Sequence, residues 1–262
     1  MLFSHQGETL DIFGLNLPLY GIMITLGLIA GLFVAIWLGK SRNLKSDDFI
    51  TLALYVIPLA ILGARTYFVI FSGVEFTFVE FFEIWNGGLA ILGAVIGGAL
   101  GVLLYSLIHK KSFFDLADVL APALFIGQSI GRIGCYFAGC CYGYEIENTN
   151  LHFFPIGFNA DGVWHYATMF WESAWCLLGF FLLIAIFKKF KQTGVVISSY
   201  LILYGIGRAI IETFRGESLF LFETGLKISQ LLAIIMIIIG IISLIIIYTR
   251  SRKQTSEKDN NS

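Results

Sequence analysis

Residues 131–143 read GRIGCYFAGCCYG, and they concentrate the chemistry of the chain. Arg132 stands in an apolar run, hemmed by Gly127, Gly131 and Gly134. Cys135, Cys140 and Cys141 follow it closely. A guanidinium is a planar, permanently charged fork whose donors match the oxygens of a phosphate. At membrane depth such a charge costs several kcal/mol unless something pairs with it. Two further arginines, Arg65 and Arg208, sit in similarly apolar surroundings. One reading is that each pairs with a local carboxylate and holds helices together. The other is that they converge into a cationic pocket for phosphate, and the phosphate available at that depth is a lipid headgroup.

The elements that must position these residues are legible from composition. The chain is 57% hydrophobic and 13% charged, with net charge −1 and mean hydropathy +0.82. That balance implies an all-α polytopic membrane protein embedded in a lipid bilayer. It offers no global field to attract nucleic acid. Seven apolar runs reach the roughly 20 residues that cross a bilayer. They fall near 17–39, 49–71, 87–108, 116–137, 166–187, 194–214 and 226–248. Residues 1–16 lack the basic stretch of a cleavable signal peptide, so none is expected.

Basic residues cluster after alternate spans: Lys40, Arg42 and Lys45; Lys110 and Lys111; Lys188, Lys189 and Lys191; Arg250, Arg252, Lys253 and Lys258. Residues 1–16, 72–86 and 138–165 contain no Lys or Arg. Positive residues stay cytoplasmic, which puts the N-terminus outside and the C-terminus inside. On that topology Arg65, Arg132 and Arg208 all lie toward the outer ends of their spans. Residues 1–250 form one seven-helix membrane domain. Within it, residues 138–165, acidic through Glu145, Glu147 and Asp161, form a small extracytoplasmic cap between the fourth and fifth helices. Residues 251–262, SRKQTSEKDNNS, read as a disordered cytoplasmic tail. Glycines four apart, as in Gly93, Gly97 and Gly101, allow close helix contact.

Seven motifs occur in order, one at an end of each span: LPLYGIMITLG (17–27), GARTYFVIF (63–71), WNGGLAILGAVIGG (85–98), GRIGCYFAGCCYG (131–143), WHYATMFWE (164–172), YGIGRAIIETFRGE (204–217) and ISQLL (228–232). Together they resemble the prolipoprotein diacylglyceryl transferase family over most of the chain. The resemblance implies transfer of a diacylglyceryl group from phosphatidylglycerol to the lipobox cysteine thiol of secreted prolipoproteins, with glycerol phosphate released. It implies no cofactor, and a multi-pass protein of the bacterial cytoplasmic membrane. Carried over residue by residue, it makes Arg132 and Arg208 the groups that hold the phosphate. Glu212 orients Arg208 through an i,i+4 pair, and His165 is the candidate proton carrier. Tyr20, Arg65, Gly131, Gly134, Gly143, Glu172 and Arg215 fall to substrate binding.

The family signature reads Gly-Arg-x-Gly-Asn-Phe-x-Asn-x-Glu-x-x-Gly. In this chain Cys135, Ala138 and Cys140 replace the two Asn and the Glu, and Tyr136 replaces the Phe. In the third span, Leu92 stands where His or Tyr is usual. These differences leave two alternatives open: a divergent paralogue with another acceptor, or a non-catalytic lipid-binding protein. Cys176 reads as a buried small hydrophobe. For Cys135, Cys140 and Cys141 the readings are a disulfide such as Cys135–Cys140 or a thiolate made reactive by Arg132. No metal site is expected, because the spacing lacks two separated CxxC pairs and only His152 or His165 could complete one.

Overall fold

The computed structural model describes residues 9–12, 15–72, 77–83, 87–160, 162–216 and 227–260. Trp85, Asn86, Asp161 and Glu217, which belong to the motifs and the cap expected above, lie outside the described residues, as do residues 1–8 and the last two of the tail. A short hairpin, β1 (Thr9–Ile12) and β2 (Leu15–Pro18), precedes α1 (Leu19–Gly39). The chain continues through α2 (Ser46–Phe71), the one-turn α3 (Phe78–Phe82), α4 (Ile91–His109) and α5 (Phe113–Phe137). A second hairpin, β3 (Gly157–Ala160) and β4 (Val163–Tyr166), leads into α6 (Thr168–Lys189), α7 (Val195–Ile211) and α8 (Ile228–Asn260).

Among the described residues seven helices are long and apolar enough to span a membrane, at the seven places expected. Their packing inverts that of a water-soluble protein. Phe33, Leu54 and Ile91 are 75%, 70% and 78% exposed, while Arg65, Asp118, Glu172, Glu212, Arg215 and Lys227 are buried. Apolar side chains turned outward meet lipid at no cost, and charged groups turned inward find one another. The polar stretch 251–260 continues α8 as helix, where composition alone suggests a free tail. Lys, Gln and Glu are all good helix formers, so the helix has no local reason to stop.

The chain divides into two compact units, one of residues 36–117 and one of residues 1–35 with 118–262. In the first, α2 lies against α4 through glycine. A Cβ added at Gly97 would strike the Leu59 carbonyl, and one at Gly101 would come within 2.8 Å of Val56 Cα. Asp48 accepts from Tyr105 Oη at 3.0 Å and from Lys111 Nζ at 3.1 Å, and Arg42 pairs with Asp115 at 3.4 Å. Arg65 donates to four main-chain carbonyls: Glu80 at 2.5 Å, Phe81 at 3.0 Å, Gly87 at 2.7 Å and Gly88 at 3.1 Å.

In the second unit, Gly27 and Gly31 of α1 meet the main chain of α5. Added Cβ atoms there would sit 2.8 Å from Gly127 O and 3.0 Å from Ala123 O. Ser129 of α5 and Ser173 of α6 each donate a hydroxyl to the other's carbonyl, at 2.9 and 2.8 Å. Asp118, fully buried near the start of α5, accepts from the amides of Gly194 (2.7 Å) and Ile197 (2.9 Å). It thereby caps α7 from another helix, satisfying amides a helix start leaves open. The segment 143–146 pairs with β4 through Gly143 N to Tyr166 O (2.9 Å), Tyr166 N to Tyr144 O (3.1 Å) and Ile146 N to Trp164 O (2.7 Å). Tyr144 N also donates to Phe214 O (2.9 Å), just beyond α7.

The glycine contacts give a sign test. Gly97→Ala places a methyl against main chain and should destabilise the protein by about 1–3 kcal/mol. Gly98→Ala meets nothing nearer than 3.8 Å and should gain helix stability instead. Thermal unfolding of the two variants in detergent should move in opposite directions.

Candidate functional site

The end of α5, the start of α6 and the end of α7 each bring charge to one place. Arg132 Nη2 of α5 lies 2.7 Å from Glu172 Oε1 of α6. The other oxygen of that carboxylate, Oε2, is 3.3 Å from Arg208 Nη1 of α7. Arg208 Nη2 is in turn 2.9 Å from Glu212 Oε2, one turn on, and that oxygen is 4.0 Å from Arg215 Nη1. The result is an alternating row, Arg132–Glu172–Arg208–Glu212–Arg215, drawn from three helices and the 3₁₀ turn Glu212–Phe214. It carries one positive charge in excess. Glu172 and Glu212 are nearly inaccessible, with side chains 5% and 1% exposed, whereas Arg132 keeps 23%. The open end of the row is therefore cationic.

The arrangement follows from the cost of buried charge. A guanidinium alone in the apolar interior would be strongly disfavoured, and a carboxylate on either side offsets that cost. With the carboxylates at the back, an incoming anion meets arginine donors already held in place. This is preorganisation of the kind that stabilises developing negative charge. Arg215 Nε is buried and has no hydrogen-bond partner among the described residues, so the row includes a donor able to accept a further acceptor group. Lys227, just before α8, donates to the carbonyls of Glu212 (2.7 Å) and Arg215 (2.9 Å). Its ammonium closes the end of α7, where helix carbonyls lack partners.

Several expected site residues have different surroundings from those the sequence suggests. Glu172, expected to contact substrate, is the shared counterion of Arg132 and Arg208. Arg65, expected at the headgroup, is 4% exposed and committed to the four carbonyls around α3. Its chain position fits the pocket reading, but the loop it clamps supplies main-chain carbonyls to the guanidinium, and Glu80 acts on it electrostatically as well. His165, on β4, has Nδ1 3.1 Å from Gly143 O. If Nδ1 carries the proton of that bond, Nε2 is the basic nitrogen. His165 is not part of the ion-pair row among the described residues.

Gly134 allows Tyr20 to pack on α5: a Cβ there would lie 3.3 Å from the Tyr20 ring. Gly143 has a firmer reason, since a Cβ would come within 2.5 Å of Phe214 O and 2.6 Å of Tyr166 Cβ. An alanine at Gly131 would make only an ordinary 3.5 Å contact with Ile24. Two participants escaped the sequence reading. Ser229 of α8 accepts from Arg208 Nη2 at 3.3 Å, and Tyr204 is within electrostatic range of Arg132. Both lie in motifs already noted, and Tyr204 is one helical turn before Arg208, which was the available signal.

The cysteines for which the sequence offers either a disulfide or a reactive thiolate lie close together. All four cysteines of the chain are free, and the sulfurs of Cys135, Cys140 and Cys141 all lie within 4.8 Å of one another. A Cys135–Cys140 bond would leave Cys141 over, whereas the fold groups all three. Cys141 loses its proton more readily than an ordinary thiol. Hydrogen bonds from Cys135 and then Cys140 do most of this, and Arg215 and Arg132 add to it. Cys140 is shifted the opposite way, chiefly by its bonds to the other two. Of the three, Cys141 is the thiol most readily deprotonated, and Arg215 and Arg132 favour its anion.

Removing the shared carboxylate should be costly. Glu172→Gln removes the counterion that Arg132 and Arg208 share and is expected to lower stability by about 3 kcal/mol. A drop of the unfolding midpoint in detergent, partly restored by adding Arg132→Met, checks this.

Comparison with known proteins gives one consistent picture. Residues 8–246 match the family model for prolipoprotein diacylglyceryl transferase. A protein of Streptococcus agalactiae is 37% identical over 243 residues, covering 90% of this chain and 93% of its own length. One of Streptococcus suis is 36% identical over 247 residues, covering 92% and 91%. One of Clostridium botulinum is 36% identical over 228 residues, covering 85% and 89%. All three are named phosphatidylglycerol–prolipoprotein diacylglyceryl transferase.

Proposed function

The chain belongs to the prolipoprotein diacylglyceryl transferase family, and on that premise we propose that it moves a diacylglyceryl group from phosphatidylglycerol to the lipobox cysteine thiol of secreted prolipoproteins. The observation that carries this reading is the arginine row, cationic at its open end, in a chain matched over nearly its whole length by transferases. In the reaction the acceptor sulfur forms a bond to the glyceryl carbon that carries the phosphate ester. The carbon–oxygen bond breaks, and its electrons leave with glycerol phosphate. The charge that develops on the leaving phosphate needs cations in place beforehand. Arg132 and Arg208 supply them, Glu212 positions Arg208, and Arg215 extends the row. His165 takes the acceptor's proton through Nε2, and Tyr20 and the glycines shape the headgroup site. Orientation follows the charge rule: N-terminus and the segment 138–165 outside, C-terminus in the cytoplasm, the protein resident in the bacterial cytoplasmic membrane.

A second reading, transfer to a different acceptor, is favoured by Cys135, Ala138 and Cys140 in place of the signature's Asn, Asn and Glu. One experiment separates them. Expressed in a strain depleted of its own transferase, the protein should restore thioether-linked lipid on prolipoproteins. Arg132→Ala and Arg208→Ala should each lower transfer roughly 10²–10³-fold. Consumption of labelled phosphatidylglycerol without lipidation of prolipoprotein would favour the second acceptor. No turnover by inserted, folded protein would overturn both readings.

Topology has its own check. A tag after residue 260 should be reachable only in permeabilised cells, and a cysteine placed at Glu147 should react with an impermeant maleimide in intact ones. Reversed reactivity would contradict the assigned orientation.

A further inference from the structure

The signature positions that hold Asn and Glu elsewhere are here Cys135 and Cys140, and the fold brings them together with Cys141. Cys135 lies in the last turn of α5, and Cys140 N returns to Cys135 O at 3.1 Å. Two left-handed residues, Gly139 (φ 62°) and Cys141 (φ 69°), turn the chain back on itself. Such a conformation is unfavourable for cysteine, which has a Cβ. The three sulfurs end within 4.8 Å of one another. Around a tetrahedral Zn²⁺ with Zn–S near 2.3 Å, sulfurs stand roughly 3.8 Å apart. Small χ1 adjustments therefore close the cluster on one ion.

The surroundings suit that ion as well. Phe158, Met169 and Phe170 wall the cluster on its apolar side. Thr168 Oγ1 donates to Cys141 O at 2.9 Å and holds the turn. Three thiolates around a divalent ion leave one negative charge, and Arg132 and Arg215 are within electrostatic range to balance it. The C-x₄-C-C spacing gave no sign of this, because ligand-spacing rules assume a regular loop, and here two left-handed residues make the turn.

We propose that Cys135, Cys140 and Cys141 form a three-thiolate site for a divalent ion of the Zn²⁺ class, whose fourth position takes the acceptor thiol of the transfer reaction. This role rests on the transferase reading above; the metal site does not. Structural zinc sites are closed by four protein ligands, whereas three ligands leave a position for a reactant. On entering it, the acceptor S–H gives its proton to His165 or water and becomes a metal-bound thiolate, a nucleophile at neutral pH. The sulfur lone pair then forms the S–C bond as the C–O bond to phosphate breaks, the electron pair leaving on glycerol phosphate. No oxidation state changes. The product thioether is a neutral, weaker ligand and departs.

The test uses the full-length protein in detergent, reduced, stripped with chelator and titrated with Co²⁺. One equivalent should give thiolate-to-metal charge-transfer absorption, displaced by one equivalent of Zn²⁺. Cys140→Ser should lose that absorption and Cys176→Ser keep it, with circular dichroism showing both folded. Transfer to a lipobox peptide should fall roughly tenfold or more on chelation and return with Zn²⁺. Absence of the charge-transfer band with three titratable thiols overturns the site, as does a native disulfide among the three. Metal binding with transfer indifferent to chelation overturns the acceptor role. Metal binding with no transfer under any condition upholds the site and overturns the transferase reading instead.

Discussion

The arginine row of the larger unit is built on one carboxylate. Glu172, near the start of α6, holds an arginine from α5 at 2.7 Å and one from α7 at 3.3 Å. Three membrane helices are thereby joined at one end by charge that lipid cannot screen or replace. The alternation onward to Glu212 and Arg215 is the consequence. Once two guanidiniums share one anion, a second anion is needed nearby, and α7 supplies it four residues beyond Arg208. Neutralising Glu172 would therefore disturb more than one pair, since each member of the row is a neighbour's counterion.

The same logic explains why the site is both stable and receptive. Its carboxylates are buried at the back, and the arginine with most exposure is at the open end. On the proposed reading, an anionic headgroup joins the row without evicting a counterion. The connection to the cap is direct: segment 143–146 pairs with β4 and also reaches Phe214 beside Arg215. The cysteine turn, the hairpin and the end of the arginine row are therefore tied together by main-chain hydrogen bonds. Gly143 sits where these strands meet with no room for a side chain, which gives a packing reason for a glycine that family resemblance assigns to substrate.

The sequence was most informative where a property accumulates over many residues. Seven spans emerge from hydropathy because each rests on some twenty side chains, and Arg132, Arg208 and Glu212 stood out as charges inside them. What it could not convey was direction. Arg65 resembles the other two arginines in every local respect, yet it turns to the carbonyls around α3. Hydropathy records the cost of placing a charge, and is blind to whether carboxylate, carbonyl or ligand meets it. The grouping of the cysteines was hidden for a related reason. Whether three thiols diverge or converge depends on the handedness at Gly139 and Cys141, and a left-handed cysteine has no reliable signature in a single sequence. The two hairpins were also invisible, since strands of four residues are too short for alternation to register.

The cap that Asp118 places on α7 has a consequence when counted against the arginine row. From Asp118 to Arg132 along α5 is fourteen residues, and from Gly194 to Arg208 along α7 is also fourteen. At 1.5 Å per residue each interval is about 21 Å. Two parallel rods of equal length are thus pinned together at both ends, by a carboxylate on backbone amides at one and a carboxylate between guanidiniums at the other. The separation of Arg132 and Arg208 is fixed by this frame rather than by side-chain choice. Inserting a single residue in either rod would swing its arginine by roughly 100° about the helix axis. Length, as much as residue identity, is what the arginine row requires of these two helices.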